Sequence, residues 1–593
     1  MSTMDQTIES LDLNISKVFS DFYVVPSFQR EYVWEERQVE QILQDVFDEF
    51  SDDGMSSEYF VGSMVVCPGK DDVIELIDGQ QRMTTFYLFL CAVRDHLAAL
   101  GADPIEVLTG QIAASSVDDL GRDVFRYHVH LQYDDSCGVL NQIATGNADL
   151  SHIPQTRSVK NIISAYETIR SFLRTEFGGD AGDVRQFYAY FSRRVKLVRT
   201  KTESVAHALK VFETINDRGV GLDSMDLLKN LMFMRAGHED YEKLKVRWKG
   251  LVDTLYAARE KPLRFLRYFV FATYGVDRLR EDEIYRWFIT HEDQCGYDKN
   301  PLAFVDALCG AALAYKQFIE GRGLDGTVNP YLVNLGYLSG MARQQLILLL
   351  AGQRLGPADF SELCRQIENL FFAYVITREP TKEFERSFAR WAPELRQVRD
   401  RADLGAFIAA RIRPAKESLA ARYELAFRQL TESSIQKYRM RYILAKLTQY
   451  VDEQAYSSGG ADLTPYMHKV DIEHILPQTP GAAVIASFNQ PESIRDYIPR
   501  LGNLTLLESS INSSVGNGLF SEKKPPYGES KFLLTKTIAY PVAVGANTAI
   551  DRAVRELLTF QEWTSDAIDR RQEMLTQLAK RVWDMPDRVP TSQ

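Results

Sequence analysis

The run Val73-Ile74-Glu75-Leu76-Ile77-Asp78-Gly79-Gln80-Gln81-Arg82-Met83 decides the class of the fold. Its first half is rich in the β-branched and apolar residues that strands prefer, and Asp-Gly is a turn signal. From Met83 to Leu100 the residues Phe86, Leu90, Val93 and Leu97 then recur at helical spacing. The order is strand, tight turn, helix. Upstream, Tyr59 to Val66 reads as a second strand, and Pro68-Gly69-Lys70-Asp71-Asp72 reads as the hairpin turn between the two.

A strand that turns at Gly79 and enters a helix leaves backbone N–H groups and the positive helix end facing outward, where phosphates can dock. Arg82 adds a fork of donors suited to phosphate oxygens, and Asp78 can hold a metal or position water. Gly79, Gln80 and Gln81 complete the turn, with Gln29 and Arg30 as candidates for the rim of a nucleotide site. Thr84 and Thr85 either touch ligand or cap the helix, and capping alone accounts for them. His128 and His130 share a strand face by alternation, which suits a structural pair because no third metal ligand accompanies them.

Outward from this segment, 593 residues are too many for one compact core, so two or three domains are expected. Three regions are distinguished: a mixed α/β region over 1–238, an almost wholly helical stretch over 239–420, and a last region over 421–593. The whole is an α+β, multidomain chain. Its hydrophobic fraction of 45% and charged fraction of 25% are those of ordinary globular protein. No apolar run approaching the length of a membrane span is expected, and the polar N-terminus lacks the features of a secretory signal. The six cysteines contain no C-x-x-C pair, which argues for reduced thiols in a cytoplasm and against a structural zinc. A net charge of −12 requires any nucleic-acid surface to be a local patch.

The last region holds Asp471-Ile472-Glu473-His474-Ile475-Leu476-Pro477-Gln478, then Gly502-Asn503-Leu504-Thr505-Leu506-Leu507, then Asn512. Phosphodiester hydrolysis needs an activated water and a cation to absorb charge developing on the phosphate. His474 suits the base, because an imidazole is largely neutral at physiological pH. Asp471 and Glu473 share one strand face, and Pro477 predicts that the strand ends soon after His474. Glu473 and Asn512 offer hard oxygen ligands for Mg²⁺ or Mn²⁺. Asn503 is predicted to bond loop backbone and hold the histidine in place.

These three segments resemble the HNH, or His-Me finger, nuclease motif, with Glu473 where Asp is commoner. Phe520-Ser-Glu-Lys-Lys524, Trp563, Arg570 or Arg571, and Trp583 further resemble the C-terminal domain of the GmrSD-type (SspE-like) restriction endonucleases. Pro26-Ser-Phe-Gln-Arg-Glu-Tyr-Val-Trp34, Phe60-Val-Gly-Ser63, Ile77-Asp-Gly-Gln-Gln-Arg-Met-Thr-Thr85 and Phe212 to Lys229 resemble the DGQQR domain of that family, related to the ParB and sulfiredoxin nucleotide-binding fold. Within Phe212 to Lys229, Asn216, Arg218 and Gly219 either line the pocket or form a helix junction.

The resemblance implies an N-terminal domain that hydrolyses a nucleoside triphosphate (GTP, UTP or ATP) through Asp78 and Arg82, and a C-terminal ββα-metal nuclease finger with His474 and Asn503 in the catalytic set. Lys523 and Lys524 would then contact substrate phosphate or form a solvated surface pair. The partner implied is double-stranded DNA carrying a modification, phosphorothioate or glucosylated hydroxymethylcytosine, with a homodimer left open. Two other classes stay in view: a nucleotide-gated DNA-binding protein with a degenerate nuclease site, and a non-catalytic regulator.

Overall fold

The computed structural model describes residues 8–26, 29, 31–53, 56–69, 72–117, 121–133, 136–146, 150–203, 207–208, 211, 224–236, 240–456, 461–542, 545 and 547–587. The chain folds as two compact units, residues 1–248 with 287–305, and residues 249–286 with 306–593.

The first unit is built on strands β1 (Glu9–Asn14), β2 (Phe22–Val25), β3 (Tyr59–Pro68), β4 (Val73–Asp78), β5 (Ala113–Val117), β6 (Asp123–Tyr127), β7 (Val129–Leu131) and β8 (Val195–Lys201). Six of them form one mixed sheet in the order β1-β8-β3-β4-β2-β7, and β5 with β6 is a separate hairpin. β3 and β4 pair antiparallel, whereas β2 runs parallel to β4 and β7, and β8 parallel to β3. The helix Gln80–Ala99 that follows β4 is buried through Phe86–Val93. A helix apolar on every side must be enclosed by other elements. Here helices Arg157–Phe177 and Ala181–Arg194 pack on it, with Glu36–Asp53 packed in turn on those two. Phe47 meets Phe172, Phe177 and Phe187 edge-on, with ring centroids 5.5–5.8 Å apart, the geometry ring quadrupoles favour. His128 belongs to this packing: its ring stacks on Phe22 at 4.4 Å and its Nδ1 donates to the Asp21 carbonyl at 2.8 Å.

The second unit is mainly helical and carries one two-stranded sheet, β9 (Val470–His474) with β10 (Leu504–Glu508). The sequence division at residue 420 does not coincide with a break in its core. Phe372, on helix Pro357–Ile376, stacks on Trp583 at 4.0 Å, and Phe427 and Tyr442 pack against the same indole. Much of the helical middle therefore shares one core with the C-terminal region. Helix Pro301–Ile319 is, by length and composition, apolar enough to cross a membrane, where no such run had been expected. Within it Tyr315 is fully buried and its hydroxyl donates to Glu260 at 2.8 Å, a contact of a protein core.

Candidate active site

In the first unit β4 ends at Asp78, and the chain passes through Gly79, at φ 91°, into helix Gln80–Ala99. A Cβ at Gly79 would stand 3.0 Å from that of Met64, so backbone angle and close approach both require glycine. Gln80 and Gln81 are buried. Gln81 Oε1 accepts from the N–H groups of Val33 (2.8 Å) and Trp34 (3.3 Å), and its Nε2 donates to the Glu31 carbonyl at 3.0 Å. One amide thus ties down the 31–34 segment. Thr85 likewise bonds inward, to the Gln81 carbonyl and the Tyr32 hydroxyl.

Arg82 departs from the expected phosphate fork. Its Nη1 and Nη2 donate to the carbonyls of Val61 and Ser63, both at 2.6 Å. β3 shifts register between Phe60 and Ser63, with Gly62 at φ 103°, and a Cβ at Gly62 would meet Nη1 at 2.0 Å. The guanidinium is locked onto β3 because a glycine bulge turns two carbonyls toward it. Burial lowers its pKa, and the Asp78 carboxylate opposes that shift. Gln29 is buried too, with its carbonyl accepting from Lys229 Nζ at 3.2 Å, and among the described residues its Nε2 has no hydrogen-bond partner. Arg30, Asn216, Arg218 and Gly219 lie outside the described residues.

In the second unit β9 and β10 pair antiparallel with His474 opposite Leu504, Glu473 opposite Thr505 and Asp471 opposite Leu507. Helix Ser509–Val515, which carries Asn512, follows β10 directly. Asn503 is fully buried at the entrance to β10. Its Oδ1 accepts from Leu476 N–H (2.6 Å) and Trp563 Nε1 (2.9 Å), while its Nδ2 donates to the carbonyls of Leu476 (3.0 Å) and Ile498 (2.8 Å). Four bonds from one amide fasten the turn after His474 to the strand beside it. Arg571, also fully buried, donates from Nη1 to the carbonyls of Gly502 and Leu504, on either side of Asn503. With so little water around it, its pKa falls to about 9.

His474 closes β9 and is buried. Its Nε2 lies 2.9 Å from Glu432 Oε2 and 3.2 Å from the Gln478 amide group, whose oxygen is the end that suits a protonated Nε2. A carboxylate only accepts, so Nε2 carries the proton and Nδ1 the lone pair. Burial lowers the His474 pKa, opposed by Glu432, and the ring is neutral at physiological pH. Glu432 sits in a tight turn, Glu432–Ser434, whose N–H donates to the Pro499 carbonyl at 2.7 Å.

Lys523 is not the solvated surface residue that one of its two readings made it. The side chain is 1% exposed, and its Nζ donates to Glu473 Oε1 at 2.7 Å and to the His474 carbonyl at 2.8 Å. Its ammonium is thus held by two of the protein's own oxygens. Tyr527 donates to the same Glu473 oxygen at 2.8 Å, and burial raises its pKa well above the usual phenol. Lys524 is half-buried, bonded to the Phe560 carbonyl and lying over the rings of Phe520 and Tyr540. Asn512 donates from Nδ2 to Asp471 Oδ2 at 3.4 Å. Among the described residues no three His, Cys, Asp or Glu side chains gather as a metal cage. Asp471 and Asn512 are in contact, and Glu473 lies two positions along the strand from Asp471; all three carry hard oxygen donors of the kind Mg²⁺ or Mn²⁺ takes.

The model of the GmrSD restriction endonuclease N-terminal domain matches residues 10–233, and that of the GmrSD restriction endonuclease C-terminal domain matches residues 419–578. The chain belongs to the GmrSD restriction endonucleases. No curated protein matches it. As a GmrSD enzyme it is a nuclease of phage restriction and acts on DNA. Asp78–Arg82 falls in the first matched region, and Glu432, His474, Asn503, Asn512, Lys523 and Arg571 fall in the second.

Glu432, Tyr527 and the structural task of Arg571 escaped the sequence reading. Glu432 lies 42 positions before His474 in an ordinary Thr-Glu-Ser-Ser turn, and only tertiary structure brings the two together. Tyr527 had a signal, since it follows Lys523 by four residues and so shares its helix face.

Proposed function

We propose that this GmrSD enzyme is an NTP-hydrolysing, modification-dependent DNA endonuclease whose cutting site is the β9–β10 hairpin and helix Ser509–Val515, an HNH-type finger. The observation that carries this reading is His474, neutral at the end of β9 with one ring nitrogen held by Glu432 and the other left to act. In this reading Nδ1 takes a proton from water as its oxygen bonds to phosphorus and a P–O bond to the sugar breaks. Glu432 holds the imidazole in the tautomer this needs and stabilises the imidazolium that forms. Asn503 keeps the loop after His474 in register, and Lys523 fixes Glu473 and the His474 carbonyl together. Asp471, Glu473 and Asn512 would hold Mg²⁺ or Mn²⁺, which supplies charge stabilisation at the phosphate when bound.

The first unit, in the same proposal, is a ParB/sulfiredoxin-like module that binds and hydrolyses a nucleoside triphosphate beside Asp78 and the buried Gln29 amide. Gln81 and Arg82 shape that site instead of contacting phosphate. Nucleotide and modified DNA would act on cleavage by favouring one of two states of the enzyme. The test is cleavage of matched plain, phosphorothioated and glucosylated duplexes, with and without each NTP and divalent metal. Preference for one modified duplex, changed by a single NTP, is the expected result. Equal cleavage of all three with no response to NTP would refute modification dependence and gating.

A further inference from the structure

The turn that holds His474 has a second neighbour. Beside Ser434, the last residue of the Glu432–Ser434 turn, a cavity of about 510 Å³ is walled by the ends of helices Pro357–Ile376 and Arg413–Arg428 and by the residues leading into helix Lys437–Tyr456. Arg378, Arg422 and Arg439 line it together with Gln429 and Gln436, and among the described residues the lining holds no carboxylate, Glu379 pairing with Arg422 from outside it. In a chain of net charge −12 this is a local reversal of sign. Leu425, 54% exposed, adds an apolar wall.

Arg378 is the most informative member. It follows helix Pro357–Ile376 at φ 55°, with its own N–H donating to the Val375 carbonyl and the Glu379 N–H returning to the Tyr374 carbonyl at 2.9 Å. Helix ends of this left-handed kind favour glycine, and an L side chain there is strained. The backbone gains nothing from arginine, so the side chain is what the position supplies. Its Nη2 donates to the Ser434 carbonyl at 2.9 Å, which seats the guanidinium on the turn whose Glu432 holds His474. Glu432 and Ser434 are two residues apart, at most about 7.6 Å between Cα atoms. Phosphates advance about 3.4 Å per nucleotide along one strand of a duplex. A strand cut at His474 therefore reaches this groove within a few nucleotides. Arg422 is steadied by an ion pair with Glu379, and Arg439 by bonds to the Leu338 carbonyl and Gln436.

We propose that this groove receives the phosphate backbone of the substrate DNA a few nucleotides from the bond that is cut. The proposal rests on the endonuclease reading above and deepens it by naming the docking surface. Arg378 and Arg422 neutralise phosphates, Gln429 and Gln436 donate to phosphate or sugar oxygens, and Leu425 packs on a sugar.

The test uses the full chain carrying His474→Ala, so that bound DNA stays intact, titrated with labelled plain, phosphorothioated and glucosylated duplexes over a series of salt concentrations. Arg378→Gly and the pair Arg378→Gly/Arg422→Gln are then added. Arg378→Gly removes the charge while relieving the backbone, so the melting temperature should hold or rise and misfolding is not an explanation for lost binding. Affinity is expected to fall roughly three- to tenfold per arginine, and the slope of log K against log salt to shrink by roughly one each. Unchanged affinity, or a weaker affinity with an unchanged slope, overturns the groove. If the parent binds no duplex at all, the groove and the endonuclease reading fall together. If the His474→Ala protein still cuts DNA, the assignment of the base fails while the groove is judged on its binding data.

Discussion

The DGQQR turn and the β9–β10 hairpin are both polar constellations at the end of a strand, and the structure uses them in opposite ways. At the first, Gln81 and Arg82 are consumed by the protein's own backbone, three bonds from the glutamine to residues 31–34 and two from the arginine to β3. At the second, Asn503, Arg571 and Lys523 do that internal work, and His474 is held through Nε2. A motif residue with several donors is thus as able to be scaffold as ligand contact. What separates the two is whether backbone carbonyls already face it.

Breaking the scaffold of the second site should produce the largest stability losses. Lys523→Met leaves Glu473 with a buried charge and one donor, and should destabilise the second unit by about 3–5 kcal/mol, measured by denaturant unfolding. If stability is unchanged, the ion pair is not the buried contact described. Asn503→Ala removes four bonds and strands the Leu476 and Trp563 groups, an expected loss of about 2–4 kcal/mol with cleavage falling alongside. Glu432→Gln keeps the shape of the turn but removes the charge facing His474. Turnover should drop about 10- to 100-fold, roughly 1.4–2.7 kcal/mol in the barrier, with DNA binding and melting temperature held. A rise in turnover would instead make Glu432 a lock. Smallest is Arg82→Lys, which loses the paired bonds to Val61 and Ser63 and should cost the first unit about 1–2 kcal/mol. Nucleotide affinity should change only as far as folding does, and a selective loss of nucleotide binding would return Arg82 to the ligand.

The pH dependence sharpens the same contrast. Burial is the largest influence on His474 and lowers its pKa below the ordinary 6.5. Its neutral form is the base, so cleavage should persist as pH falls through 6.5 and fail only below it, read from the acid limb of the rate profile. The unfolded chain takes up this proton first, so His474 contributes stability that is lost as pH falls from 6.5 toward the lower folded value.

Much of this was legible in the chain itself. The β3–β4 hairpin and the helix after Gly79 followed from β-branched and apolar runs, a Pro-Gly break, an Asp-Gly turn and helical apolar spacing, and β9 does end at His474 as Pro477 foretold. Other features depended on contacts that no local pattern encodes. Lys523-Lys524 reads as a surface pair until Glu473 is placed beneath it. Pro525 and Pro526 lie inside helix Phe520–Glu529, where the carbonyls they leave unbonded belong to exposed Ser521 and Glu522 and can turn to water. The setting of Arg82 was not legible either, because the consequence of Gly62, two carbonyls gathered at a bulge, appears only once β3 is folded.

The central claim is that cutting and nucleotide hydrolysis belong to different sites, one around His474 and one around Asp78. The most direct measurement assays both activities in correctly folded His474→Ala and Asp78→Ala proteins. DNA cleavage should vanish in the first while nucleotide hydrolysis continues, and hydrolysis should vanish in the second. Loss of both activities in His474→Ala would contradict the two-site account.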